Sequence, residues 1–260
     1  MIALLAAGLI APFYADVTPE VRTTYVSLGK LVEDRPMQIT HIRAGLDSGL
    51  FGRFGFYNWD VSSMTDRRSE EHRHMLYHTE FGPTWSYDVD FSEDWRLKND
   101  LMCVWTLYRG FEREGANGEF WWWQFAQSLE NPYLVPYYRL RRYCSGSHYF
   151  WFEAGVRRKF PFWDDFYVMP AVYADGGNDE NYERVIGKNA CGDGWGGGGV
   201  SSITFRLELG WQISAWATAF AFVEQYEVVG HDARTTNAES SYACAHNDWT
   251  LGGVGVRFRF

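Results

Sequence analysis

Beyond its first fifteen residues the chain has no uncharged apolar run near the roughly 20 residues that a membrane-spanning helix requires. A helical membrane protein is therefore excluded. Basic residues are in deficit, with a formal net charge of -9, and nucleic acid, which favours a clustered basic surface, is not expected as a partner. Nothing reads as a phosphate cradle either: the glycine-rich stretch 192–199 runs into a strand-like segment, with no helix to offer its N-terminus. His72, His74 and His78 stand near Glu70, Glu71 and Glu80 at spacings a metal could use. Arg67, Arg68 and Arg73 crowd the same segment and oppose a cation, so no metal or other cofactor is expected.

What is abundant is aromatic. Phe, Trp and Tyr make up 18% of the residues, 13 of them Trp, yet the mean hydropathy is only -0.33. A transmembrane β-barrel combines these properties, because lipid-facing and lumen-facing residues alternate and aromatic girdles mark both interfaces. A soluble β-sandwich can share such totals, so arrangement has to decide.

The last stretch, Asn247 to Phe260, reads N-D-W-T-L-G-G-V-G-V-R-F-R-F. Phe260, Phe258, Val256 and Val254 share one parity, and Arg259, Arg257, Gly255 and Gly253 the other, which is a strand with one apolar face. An alternating terminal strand that ends on an aromatic residue resembles the C-terminal signal of Gram-negative outer-membrane β-barrels. That resemblance implies a bacterial outer-membrane location, contact with its lipid, and recognition of the strand ending at Phe260 by the barrel-assembly machinery.

At the other end, Met1 to Ala15 is uncharged and reads as the apolar region of a secretory signal peptide. It departs from the pattern in having no Lys or Arg before the apolar run, and in placing Phe13 where a small residue is expected. The division expected is a signal peptide over 1–15 and a barrel over 16–260.

Parity and turn chemistry cut the rest into about twelve strands, an even number within the range of single-chain barrels. The first is expected over 23–29 and the second over 37–46. The clearest covers 75–91, with Phe81, Trp85, Tyr87, Val89 and Phe91 on one face and His78, Glu80, Thr84, Ser86, Asp88 and Asp90 on the other. A turn centred on Glu93 then sets Asp90 opposite Arg96 and Asp88 opposite Lys98, two cross-strand ion pairs. Connections at 47–49, 92–94, 131–132, 161–165 and 213–215 are short. Those at 62–74, 110–118, 176–200 and 230–246 are long, and the brief 144–147 loop is the exception. Short periplasmic turns on one rim and long extracellular loops on the other give this alternation, whereas a sandwich has no reason to sort its loops by rim. The fold expected is all-β, one closed antiparallel transmembrane barrel.

The polar faces supply the lumen candidates. The acids are Glu80, Asp88, Asp90, Asp100, Glu119, Glu153, Glu208 and Glu227; the bases are Arg96, Lys98, Arg139, Arg141, Arg157, Lys159, Arg206, Arg257 and Arg259. The signs nearly cancel, which predicts weak ion selectivity. Gly155, Gly253, Gly255 and the alanines at 217, 219 and 221 read as inward positions that leave room for water beside Arg206 and Glu208. Of the four cysteines, Cys103 lies on the lipid-facing parity of Leu101 and Trp105, and is expected to be free. Cys191 and Cys244 lie in neighbouring long loops of an exported chain and are the expected disulfide, with Cys144 and Cys191 the second choice.

Three functions fit: a porin-like channel for passive diffusion of small hydrophilic solutes, a structural or surface-interaction barrel, and an outer-membrane hydrolase. The third would need a nucleophile with a base in reach. Ser147-His148 and the stretch Ser240 to His246 supply the residue types without a recognisable motif, so a non-enzymatic channel is the expectation.

Overall fold

The computed structural model describes residues 12–27, 30–33, 36–64, 77–109, 119–144, 149–178, 199–229 and 248–260. Twelve strands form the wall: β1 Phe13–Arg22, β2 Met37–Asp47, β3 Arg53–Ser63, β4 Tyr77–Asp90, β5 Arg96–Arg109, β6 Glu119–Glu130, β7 Val135–Tyr143, β8 Phe150–Arg157, β9 Phe166–Gly177, β10 Gly199–Ser214, β11 Ala217–Val228 and β12 Asp248–Arg259. Each pairs antiparallel with the next. The sheet closes where β12 returns to β1, with Val17 opposite Phe258 and Val21 opposite Val254. At the rim Ala15 and Phe260 exchange both backbone hydrogen bonds, at 3.1 and 2.8 Å. Closure removes the strand edges, whose polar groups hydrocarbon cannot satisfy.

The expected strand pattern holds with one displacement. The first wall strand is Phe13–Arg22, upstream of the expected 23–29, and its opening residues belong to the segment read as signal peptide. The charge-free run drew attention away from an alternation in which Ala15, Val17 and Val21 face outward and Tyr14, Asp16, Glu20 and Arg22 inward. Pro19 has no backbone donor, and the ladder to β12 skips it, passing from Val17–Phe258 to Glu20–Gly255. Tyr25–Ser27 and Lys30–Glu33 pair antiparallel as a separate two-stranded sheet. The turn at 161–165 carries a further short strand, Phe160–Phe162, folded back on β9.

The strand ends joined through 48–52, 91–95, 131–134, 158–165 and 215–216 lie at one rim; the strand ends on either side of 23–36, 64–76, 110–118, 144–149, 178–198 and 229–247 lie at the other. Among the described residues no helix is long and apolar enough to cross a membrane, and the strands do the crossing. Their outward faces are apolar: Phe54, Phe56, Trp85, Leu101, Trp105, Trp123, Phe205, Leu207, Leu209, Trp211 and Val254 are all exposed large hydrophobics. So large a continuous apolar surface has no place in water and matches a lipid-facing band. Aromatics thicken it at the short-turn rim, where Trp216 stacks on Phe258 at 5.9 Å and on Phe260 at 6.0 Å.

Candidate lumen

Because side chains alternate, every second residue of each strand points into the barrel. The register shows which. Asp88 lies opposite Lys98 and Asp90 opposite Arg96, as the turn at Glu93 requires. The ion pairs follow this only in part. Arg96 binds Asp90, whereas Asp88 takes Arg53 at 3.1 Å and Lys98 reaches across to Glu130 at 3.8 Å. Residues from neighbouring strands compete for the same partner, so register alone does not settle pairing.

Most of the remaining candidates are held in ion pairs or in one larger cluster. Arg139 Nε donates to Glu153 Oε1 at 3.0 Å, and Arg157 Nη2 to Glu130 Oε1 at 3.1 Å. Arg141 lies 3.7 Å above the Trp122 ring and 3.8 Å from Glu80, and Asp100 binds Arg43. On the opposite wall Arg206 is held by Glu208 at 2.8 Å and by Glu224. Arg257 approaches Glu208 at 3.6 Å, and the Tyr167 hydroxyl donates to Glu208 at 2.8 Å. A buried carboxylate with two guanidiniums and a phenol has its acceptor capacity well used, which offsets its desolvation.

Arg259 lies out at the rim, 3.3 Å from Asp16. Lys159 sits in the turn beyond β8, its ammonium 4.1 Å from the Tyr167 ring. Partial burial, then Arg259 and Arg257, hold its pKa below the ordinary lysine value.

Two cavities run inside the barrel. One, of about 470 Å³, lies toward the short-turn rim and is lined by Tyr14, Arg43, Arg53, Asp88, Lys98 and Asp100 among others. The second, of about 430 Å³, is bounded by residues from nearly the whole circumference, including Arg22 of β1, Tyr57 of β3, Glu80 of β4, Arg141 of β7, Tyr173 of β9, Arg206 of β10 and Glu224 of β11. Such a lining can only be the interior of the barrel. The two cavities share Tyr137, Arg139 and Arg157, all on the adjacent strands β7 and β8, so the cavities meet along that wall.

Two expectations about the interior are corrected. On β11 the inward face is Phe220, Phe222, Glu224 and Tyr226, since Glu224 pairs across with Arg206 and Phe222 with Glu208. Ala217, Ala219 and Ala221 share the outward face of Phe258, Trp211 and Leu209, and Glu227 lies opposite Ile203 on that same face. The inward glycines, for their part, do not leave water space. A Cβ at Gly253 would come within 2.6 Å of the Phe222 ring, and one at Gly255 within 2.6 Å of Phe220; at Gly155 it would strike Tyr173. The small residues make room for rings that line the wall. Hydrophobicity misassigns β11 because its phenylalanines are inside, serving as platforms under arginines: Arg206 lies 3.8 Å over Phe222 and Arg257 4.7 Å over Phe220.

Sequence reading also misses Arg22, Arg43, Arg53, Glu130, Asp175 and Glu224 as lumen residues. Arg22 and Arg43 were legible from strand alternation once β1 and β2 were in register. Asp175, buried near the long-loop rim, accepts a hydrogen bond from Ser201 Oγ at 2.7 Å. Cys103 and Cys144 are free thiols, and Cys103 shares the outward face of Leu101 and Trp105. The expected Cys191–Cys244 disulfide, the histidines at 72 and 74, and the Ser147-His148 and 240–246 candidates lie outside the described residues. His78 is described, and among the described residues no cluster of metal-ligating side chains is found.

These features define a bacterial outer-membrane β-barrel. No family model matches the chain, and no curated protein matches it in sequence. Solved structures share the architecture. The KdgM porin in complex with disordered oligogalacturonate aligns with a TM-score of 0.50 at 12% identity, over 95% of this chain and 99% of that one. A second KdgM porin structure gives 0.47 at 12% over the same shares, and the translocator domain of the autotransporter NalP from Neisseria meningitidis gives 0.46 at 10%, over 99% and 93%. At such identities the likeness reaches the fold alone. A shared fold does not fix function, which has to be read from this chain's own interior.

Proposed function

We propose that the protein is a narrow outer-membrane channel passing small hydrophilic solutes by passive diffusion, without a catalytic step. The observation that carries this reading is the pair of polar-lined cavities meeting at Tyr137, Arg139 and Arg157. Twelve strands enclose more than the roughly eight-stranded barrel that side chains just fill, and less than the sixteen-stranded porins. The inward aromatics narrow it further, so the cut-off falls among small solutes. The strand ending at Phe260, with its stacked aromatic terminus, is in this reading also the segment that the barrel-assembly machinery engages.

Liposome swelling with neutral sugars of graded size tests the channel. Pentoses are expected to swell liposomes bearing the folded barrel, and trisaccharides to fail. No swelling above the lipid control for any sugar would favour a structural barrel.

A further inference from the structure

Acids and bases are close to balanced by count in the lumen, yet they are not equally presented to it. In the Arg139–Glu153 pair the side chains are 42% and 6% exposed; in Arg257–Glu208, 28% and 1%; in Arg206–Glu224, 17% and 3%. Arg157 and Glu130 follow the same order. Two pairs depart from it: Arg43 and Asp100 are 20% and 21% exposed, and Arg96 and Asp90, near the short-turn rim, are 50% and 61% exposed. The cause is chain length and stacking. A glutamate on the wall ends close to the backbone surface, while a guanidinium reaches over it and spreads along an aromatic ring. Outside those two pairs the carboxylates therefore lie deeper than their guanidinium partners, and a passing solute meets the guanidiniums first.

The wall where the two cavities meet concentrates this. Of the three residues shared by both cavities, two are Arg139 and Arg157, and the third is the neutral Tyr137. Resting on the channel reading above, we propose that this junction is an anion-selecting site whose solutes are small carboxylates, met by the lumen-facing edges of Arg139 and Arg157. Guanidinium presents paired N–H donors in the plane a carboxylate matches, and cationic side chains along the passage are the usual device of anion pores.

The experiment is planar-bilayer recording across a gradient of KCl, repeated with potassium acetate. The reversal potential should have the sign for anion movement in both salts, with a preference on the order of threefold, the size that a partly exposed ion contact supplies. Two variants separate presentation from count. Arg157→Gln should roughly halve the preference while leaving Glu130 to Lys98. Arg139→Gln with Glu153→Gln removes one base and one acid, so the net charge is unchanged; the preference should still fall toward unity, because only the base was presented. Conductance with no preference, with cation preference, or with a preference that the double variant leaves intact overturns the anion site and leaves the channel standing. Absence of conductance from folded protein overturns both.

Discussion

Gly253 of β12 lies against the face of Phe222 of β11, so close that a Cβ at the glycine would stand 2.6 Å from the ring. The ring in turn carries the guanidinium of Arg206, 3.8 Å from its centroid. A glycine, a phenylalanine and an arginine thus form one stack across adjacent strands, and the glycine is what lets the ring lie flat against the wall. Gly253→Val is expected to destabilise the barrel by about 1–3 kcal/mol through overpacking. The check is the temperature at which the folded band is lost on a heat-modifiability gel; an unchanged temperature would contradict the stack.

The same ring narrows the lumen. Phe222→Ala should enlarge the single-channel step, since the side chain removed is an inward, buried one beside the second cavity's Arg206 and Glu224. A step equal to that of the parent chain would mean that the passage runs elsewhere.

Glu208 is 1% exposed and is shared by Arg206, Arg257 and Tyr167. Glu208→Ala leaves two guanidiniums without this partner, and the expected cost is about 3–5 kcal/mol, read by urea unfolding in lipid vesicles. Glu208→Gln keeps the shape and an acceptor, and should cost less.

Closure depends on residues that sequence reading gave to a signal peptide. Ala15 exchanges two backbone hydrogen bonds with Phe260, and Phe13 and Tyr14 pair with Leu46 and Gly45. A chain beginning at Pro12 should therefore keep its folded band to a higher temperature than one beginning at Asp16. The loss should be on the order of 0.5–1.5 kcal/mol for each hydrogen bond removed. Equal stability would place the effective start of β1 after Ala15.

The outward position of Cys103 gives a chemical test. A membrane-permeant maleimide should label it in folded, lipid-embedded protein, and a charged, water-soluble one should not; labelling by both would place it in the lumen.

Strand number, closure and the sorting of connections by length were legible because each rests on period-two alternation and turn chemistry, which are local. The β4–β5 register was legible too, since a tight turn fixes which residues face each other. Ion pairing was not, because Asp88 and Lys98 each have a second neighbour in reach, on β3 and on β6. The face of β11 was misread for a related reason. Phenylalanine and alanine alternate there, and hydrophobicity alone puts the phenylalanines in lipid; only the pairing of Glu224 with Arg206 turns the strand over. The first strand was hidden because a charge-free run that ends at Ala15 satisfies a leader as well as it satisfies a strand's beginning.

Planar-bilayer recording on the refolded chain, with its fold confirmed by heat-modifiable migration, addresses the channel most directly. Repeated insertions should give discrete conductance steps of one small, uniform size, consistent with a passage through the two cavities that meet at Tyr137, Arg139 and Arg157. Repeated insertions without any discrete step would contradict the channel and leave a barrel whose interior is only packed.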